Sequence, residues 1–191
     1  MQDTVKLFVG TSDHHDDLAQ KIYLYTIHKN STAPVEVVFL RPSDFPGWNR
    51  KTWGTPFTCY RYAVPHLMGY KGRALYTDTD MINFRDISAL FNTDLEGKPF
   101  GMVWDALQDN GMKGRELGYP RGFWCDSVLL IDCEKAQEFV DPIDKVMKWN
   151  KGYSYKWEVM KKLGSPHKEK TKKLVHMLDS RWNVFDGTDP S

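Results

Sequence analysis

With 191 residues, 41% of them hydrophobic and 14% aromatic, the chain is expected to fold as a single domain over residues 1–191 rather than to be disordered. Its 26 basic and 25 acidic residues leave a formal net charge of +1, which argues against nucleic acid as a partner, because a polyanion is held by a strongly basic surface. No segment approaches the roughly 18 consecutive apolar residues of a transmembrane helix, and the first residues lack a leader pattern, so a cytoplasmic protein without a transmembrane segment is expected.

The chain opens with a strand, a turn and a helix. Val5 to Val9 has the composition of a strand, and Gly10 to Asp13 follows as a turn of small and polar residues. Leu18, Ile22 and Tyr25 then recur at helical spacing. This order is typical of α/β proteins, and the free backbone N–H groups of such a turn can meet a phosphate or a base.

A second strand and a second helix come next. Val35 to Leu40 is predicted as a strand apolar enough to be buried on both faces. The segment from Phe57 to Met68 is predicted as a helix bent at Pro65. This helix carries Arg61, which is either a surface cation or is directed at the acidic segment that follows.

The most informative segment is a short apolar run, Ala74 to Tyr76, followed closely by Asp78 and Asp80. In an extended backbone these two carboxylates share one face. At about 4 Å, with an effective dielectric constant near 20, they would repel by about 4 kcal/mol, so a cation is expected between them. Arg73 and Arg85 are candidates, and a divalent metal is the stronger one, because hard cations bind carboxylate oxygens and accept phosphate oxygens as further ligands. The alternative is an exposed acidic turn.

Further strands are predicted at Phe100 to Trp104, ending in Asp105, and at Ser127 to Ile131, preceded by Asp126. A helix is predicted from Glu134 to Trp149. Two other segments have little periodicity: residues 106–123 form a predicted loop that could fold over a ligand, and residues 151–191 form a basic, partly helical C-terminal part.

Alternating strands and helices predict a largely parallel sheet with helices on both faces. Ligands of such sheets bind beyond the carboxyl ends of the strands, where the two predicted metal ligands, Asp78 and Asp80, would lie. A metal there could neutralise a diphosphate leaving group. Asp105 and Asp126 are the candidate catalytic residues, because a carboxylate can hydrogen-bond sugar hydroxyls or face a cationic carbon.

Five segments, in this order, carry a family resemblance: Phe8 to Thr11, Cys59 to Pro65, Ala74 to Met81, Met102 to Asp105, and Arg181 to Asn183. Together they resemble the GT-A glycosyltransferases (nucleotide-diphosphosugar transferases), and most of all their family 8, which includes glycogenin and bacterial galactosyltransferases. The resemblance implies a GT-A fold, with a mixed, mostly parallel sheet flanked by helices. It also implies metal-dependent transfer of a sugar from a UDP-sugar to a hydroxyl acceptor, with retention of anomeric configuration.

The resemblance implies roles for individual residues. Asp78 and Asp80 would bind Mn²⁺ or Mg²⁺. The remaining donor contacts would come from Val9, Gly10 and Thr11 at the uracil base, Thr79 at the ribose, Asp78 in the donor site, and Arg61 at the donor phosphate or sugar.

The sequence also departs from the family pattern. Cys125 to Val128 stands where the family has Asn-Ala-Gly-Val or Asn-Ser-Gly-Val, and the late His-x-x-Gly-x-x-Lys motif is absent from these 191 residues. A non-catalytic nucleotide-sugar or carbohydrate-binding domain therefore remains an alternative. A sugar-phosphate nucleotidyltransferase is another, although the turn at Gly10 to Asp13 lacks the cations it would need. The sugar, the acceptor and the oligomeric state, including a homo-oligomer, stay open.

Overall fold

The structure, a computed structural model, describes residues 4–105, 123–152, 154–162 and 174–184. The predicted ligand-covering loop at residues 106–123 therefore lies almost wholly outside the described residues. Four of the eight lysines in residues 151–191, at positions 168, 170, 172 and 173, also lie outside them.

In the part of the chain that the structure describes, six strands form one sheet in the order β2-β1-β3-β5-β4-β6. The strands are β1 (Val5–Gly10), β2 (Val35–Leu40), β3 (Arg73–Asp78), β4 (Phe100–Asp105), β5 (Phe123–Asp132) and β6 (Val175–Leu178). Strand β5 is antiparallel to both of its neighbours, whereas the other pairings are parallel. The predicted mixed, mostly parallel sheet is thus confirmed.

The helices of the described ranges are short. They are α1 (Asp17–Asn30), α2 (Val64–Leu67), α3 (Ile87–Phe91), α4 (Cys133–Ala136), α5 (Ile143–Met147) and α6 (Ser154–Lys162), with 3₁₀ helices at Pro42–Asp44, Thr58–Ala63 and Ser180–Trp182. None of the helices in the described part of the chain is long and apolar enough to cross a membrane.

Two helix predictions are wrong at their prolines. The helix predicted from Phe57 to Met68 is a 3₁₀ helix followed by α2, with Pro65 in the first turn of α2. The helix predicted from Glu134 to Trp149 is divided into α4 and α5, and Pro142 occupies the N-cap of α5. Proline has no backbone N–H to continue the hydrogen-bond ladder, so it fits the beginning of a helix better than its interior.

Strand β2 is not buried on both faces, in contrast to the prediction. Within the described ranges it lies at the edge of the sheet and pairs only with β1. Its burial alternates, with Glu36 and Val38 exposed and Leu40 buried. Helices cover both faces of a central strand, but an edge strand is covered less completely.

Helix α1 is present, but the apolar stripe that predicted it faces solvent. Leu18 and Tyr25 are 71% and 65% exposed, whereas Tyr23 and Ile27 are buried. The helix therefore packs against the sheet through the face that carries Tyr23 and Ile27.

The sheet separates two hydrophobic layers, because consecutive strand residues point to opposite faces. Phe8 and Tyr76 belong to the layer that contains the 3₁₀ helix at Thr58–Ala63. Their neighbours Leu7 and Leu75 belong to the layer that contains residues of α1 and α3. Helices therefore cover both faces of the sheet and leave the carboxyl ends of β1 and β3 to form a site.

Candidate functional site

The ends of three strands meet at one edge of the sheet. Strands β1 and β3 run in parallel and end together, with Gly10 opposite Asp78. Strand β5 runs the other way, and its Val128 lies opposite Thr77, so the beginning of β5 extends toward the same edge. Asp126 is therefore inside a strand rather than in front of one, and the strand's direction brings it to Asp78.

The turn after β1 approaches its neighbours so closely that only glycine fits at position 10. A Cβ atom on Gly10 would lie 2.1 Å from Oη of Tyr76 and 3.1 Å from Cδ2 of Phe57. The neighbouring Val9 and Thr11 are fully buried, and Oγ1 of Thr11 accepts a hydrogen bond of 2.9 Å from Nε2 of Gln20. The predicted base-binding residues Val9 and Thr11 thus direct their side chains into the protein.

Replacing Gly10 by alanine is expected to lower the free energy of unfolding by about 1–3 kcal/mol, the usual range for overpacking a dense site. The added methyl group displaces Tyr76, whose hydroxyl is its nearest neighbour. In the background of Tyr76→Phe, which lacks that hydroxyl and also its hydrogen bond to Asp78, Gly10→Ala should cost less stability than it does in the wild type. Urea unfolding gives the free energies of unfolding of these variants. An alanine variant at position 10 that is as stable as wild type would contradict this packing argument.

The cation beside Asp78 is Arg61, which the 3₁₀ helix at Thr58–Ala63 carries into the protein. Its side chain is only 4% exposed. Nη2 lies 2.9 Å from Oδ1 of Asp78, and Nη1 lies 2.9 Å from Oδ1 of Asp126. Nε donates to the carbonyl oxygen of Thr58 at 2.9 Å, and the guanidinium stacks 4.8 Å from the ring centre of Tyr76. Arg61 thus bridges the two carboxylates.

The two other arginines considered as partners for the carboxylates are engaged elsewhere. Nη1 of Arg73 donates to the carbonyl oxygens of Phe91 and Thr93, each at 2.9 Å. The guanidinium of Arg85 stacks on Trp182 at 4.5 Å. Both expectations were wrong, because sequence proximity to the Asp-x-Asp segment does not determine which arginine the packing directs toward it.

The two buried carboxylates have opposite pKa shifts. Asp78 accepts a 2.8 Å hydrogen bond from the Tyr76 hydroxyl. Burial raises the pKa of Asp78, and this effect outweighs the charge of Arg61 and the Tyr76 hydrogen bond, both of which lower it. Burial also opposes ionisation of Asp126, but the two cations Arg61 and Lys156 lower the pKa of Asp126 to about 2. Asp126 is therefore firmly ionised near neutral pH.

Lys156 is a member of this cluster that the sequence analysis did not identify. It lies on α6, where Nζ contacts Oδ1 of Asp126 at 3.1 Å and donates to the carbonyl oxygen of Trp124 at 2.6 Å. The Tyr62 hydroxyl donates to the other oxygen of Asp126 at 3.3 Å. The sequence does hold one signal for a buried lysine at this position: Lys156 stands between two aromatic residues, three positions before a valine.

The candidate metal ligands differ in exposure. Asp80 is exposed, whereas Asp78 is largely buried. Arg61 and Tyr76 engage Oδ1 of Asp78, whereas among the described residues Oδ2 has only a longer contact of 3.3 Å to Nη2 of Arg61. Within the described residues there is no group of three His, Cys, Asp or Glu side chains that could hold an ion. Oδ2 of Asp78 and the carboxylate of Asp80 fit a hard divalent cation that takes its other ligands from phosphate and water.

Three other predicted elements are located as follows. Thr79 is 1% exposed; its backbone N–H donates to the carbonyl oxygen of Gly10 at 3.1 Å, and its hydroxyl has no partner among the described residues. Asp105 is the last residue of β4, and its side chain lies outside the described part. Asn183, of the late Trp-Asn element, donates through Nδ2 to Sγ of Cys125 at 2.9 Å. That contact ties the element to the start of β5.

Comparison with known proteins gives consistent matches. The sequence matches the family described as Glycosyl transferase family 8 over residues 22–189. Protein CDI of Arabidopsis thaliana is 30% identical over 140 residues, which cover 67% of this chain and 52% of that protein. The chain thus spans about half the length of this curated relative.

Solved structures also match. The apo structure of the bifunctional glycosyltransferase WbbM aligns with a TM-score of 0.70 at 14% identity, covering 98% of this chain and 41% of WbbM. The galactosyltransferase LgtC, in complex with donor and acceptor sugar analogues, aligns with a TM-score of 0.58 at 14% identity, covering 93% of this chain and 74% of LgtC. The family match covers most of the sequence, and the fold is that of the GT-A glycosyltransferases. The chain therefore belongs to glycosyl transferase family 8.

Proposed function

We propose that this chain is a metal-dependent glycosyltransferase that moves a sugar from a UDP-sugar to a hydroxyl acceptor. The observation that carries this proposal is the meeting of a glycine-requiring turn with Arg61, Asp78 and Asp80 at one edge of the sheet. Retention of anomeric configuration is part of the proposal through the family resemblance. The structure of LgtC, a similar fold, holds donor and acceptor sugar analogues.

Asp80 and Oδ2 of Asp78 would hold Mn²⁺ or Mg²⁺ in the proposed site. When bound, such an ion supplies positive charge that neutralises the departing diphosphate. Asp80 suits this role because it is exposed and can meet a ligand without rearrangement of the core. Asp78 suits it because Arg61 and Tyr76 hold its carboxylate in one orientation.

The turn at Gly10 to Asp13 would receive the base through its backbone, because Val9 and Thr11 are buried. Thr79 would lie near the ribose, and a direct hydroxyl contact requires a side-chain or backbone shift, since this hydroxyl is buried. Asp105 remains the candidate for contact with the sugar.

Arg61 fills a supporting role in this proposal. A guanidinium has five N–H donors, and those of Arg61 face the carboxylates of Asp78 and Asp126 and the carbonyl oxygens of Thr58 and Asp126. Binding of a donor phosphate or sugar by Arg61, as the resemblance implies, therefore requires exchange of one of these contacts. Its primary task in this arrangement is to orient the Asp78 carboxylate.

The second candidate function is a nucleotide-sugar-binding domain without turnover. It is favoured by one observation: Asp126, a candidate catalytic residue, has both carboxylate oxygens engaged by protein groups. A carboxylate occupied in this way must be released before it can act on a substrate.

Titration calorimetry with UDP, with Mn²⁺ or with a chelator, tests the binding half of the proposal. We expect micromolar-range binding with Mn²⁺ and binding at least about tenfold weaker with the chelator, a difference of about 1.4 kcal/mol. Equal affinity in both conditions would contradict a metal-dependent site. A panel of UDP-sugars is then followed for release of UDP. Release that requires Mn²⁺ supports the transferase, whereas binding without release supports the second candidate.

A further inference from the structure

Four buried or largely buried charged groups lie together on the sheet side of the candidate site. Two are cations, Arg61 and Lys156, and two are carboxylates, Asp78 and Asp126. Their formal charges cancel. Among the described side chains of the site, the exposed carboxylate of Asp80 then leaves one net negative charge facing solvent.

The apolar surroundings of Lys156 allow these charges to act on one another over a distance. Arg61, Asp126 and Lys156 border a cavity of only about 10 Å³ whose other walls are largely apolar and include Phe100, Leu129 and Val159. Apolar walls screen charges far less than water does. Removal of one charge here is therefore felt at Asp78, whereas removal of an exposed surface charge is largely screened.

We infer that Lys156 is a positioning residue, which acts through Asp126 on Arg61 and thereby sets how strongly Asp78 and Asp80 attract a divalent cation. This inference rests on the proposed function, since it concerns the same site. Lys156 gives Asp126 a second cation, so Arg61 is shared between Asp126 and Asp78 in the geometry observed.

The inference predicts effects of opposite sign for the two members of the pair. Without Lys156, Asp126 draws Arg61 more strongly and the site gains a net negative charge, so Asp78 is more available to a cation. Without the charge of Asp126, Arg61 is left to Asp78 alone and the site loses a negative charge, so a cation is repelled. A purely structural role for the pair would instead weaken cation binding in both variants.

Mn²⁺ alone is the probe, titrated into the full chain and followed by electron paramagnetic resonance of the free ion. We expect Lys156→Met to raise the affinity for Mn²⁺ about threefold to tenfold and Asp126→Asn to lower it by a similar factor. The double variant should lie within about twofold of wild type, because its net charge is restored. Lys148→Met, the loss of an exposed lysine, is the matched control and should have little effect.

Stability is followed in the same samples by thermal unfolding. Should Lys156→Met not fold, the comparison of Asp126→Asn with the double variant replaces it, because loss of Lys156 should raise the affinity in that background too. Equal Mn²⁺ affinities in wild type and the variants, or weaker binding in both single variants, would overturn the inference and leave the proposed function intact. Failure of the wild type to bind Mn²⁺ alone would overturn the inference, whereas the proposed function, in which phosphate supplies further metal ligands, is tested separately by the titration with UDP.

Discussion

Replacing Asp80 by asparagine is expected to remove the metal-dependent part of UDP binding while the fold survives. Asparagine keeps the shape of the side chain but loses the charge that attracts a hard cation. We expect roughly a 100-fold loss of UDP affinity in the presence of Mn²⁺, about 2.7 kcal/mol of binding free energy. Because Asp80 is exposed, the free energy of unfolding should change by no more than about 0.5 kcal/mol.

Calorimetric titration of UDP into wild type and variant, with Mn²⁺ and with chelator, measures this effect. Asp144→Asn is the control, since Asp144 is also an exposed carboxylate but lies on α5, which takes no part in the contacts of the Asp78 carboxylate. With the chelator, Asp80→Asn and wild type should bind UDP alike. Undiminished Mn²⁺-dependent binding by the Asp80 variant would remove the main support for the proposed metal site.

Replacing Arg61 by methionine is expected to destabilise the fold more than any other single substitution at the site. Methionine fills the space of the side chain but leaves Asp78 and Asp126 without their shared cation. Removal of one partner from a buried ion pair usually costs about 3–5 kcal/mol. This is a large part of the roughly 5–15 kcal/mol by which a typical domain is stable.

Urea unfolding followed by circular dichroism gives the free energies. The control is Arg181→Met, which removes an arginine paired with Asp179 at an exposed site and should have little effect. An Arg61→Met variant as stable as wild type would mean that the two carboxylates lose little when their shared cation is removed, in conflict with the buried ion pairs of Arg61.

The effect of Arg61→Met should also depend on pH. The pKa of Asp126 is about 2 in the folded chain, below its ordinary value of 3.8, so its ionised form contributes stability above about pH 4. Wild type loses this contribution as the pH falls toward 2. In the variant both carboxylates can take up protons at higher pH, which removes the free-energy cost of burying their negative charges. The two unfolding free energies should therefore differ most near neutral pH and converge below pH 4, and a constant gap would contradict this account.

The strands that could be predicted were those with a local signal. Strand β3 was recognised from a buried apolar run, and its observed range, Arg73–Asp78, includes the predicted core of the strand. Strand β6, Val175–Leu178, was not predicted, because it has only four residues and follows a lysine-rich segment. It forms a strand because it pairs in parallel with β4. This long-range pairing cannot be predicted from a short stretch of sequence.

The site was predicted in the same uneven way. Asp78 and Asp80 were found because two carboxylates after an apolar run are visible locally. Arg61 was a candidate because the segment that carries it precedes the acidic strand, and the family resemblance added a role for it. Lys156 was missed because it is 78 positions from Asp78 in the sequence and meets the site only through Asp126. The exposed stripe on α1 shows the converse: helical spacing predicted the helix but not the face that packs.

By itself, the sequence determined the local elements of this protein: an apolar strand followed closely by two carboxylates, a turn of small and polar residues, and prolines that restrict where helices begin. Only the tertiary structure decided that β5 runs against its neighbours. Parallel and antiparallel strands share the same two-residue side-chain period, so strand direction leaves no mark in the local pattern. That direction brings Asp126, and with it Lys156, to Arg61 and Asp78, and so completes the charged cluster beside the proposed metal site.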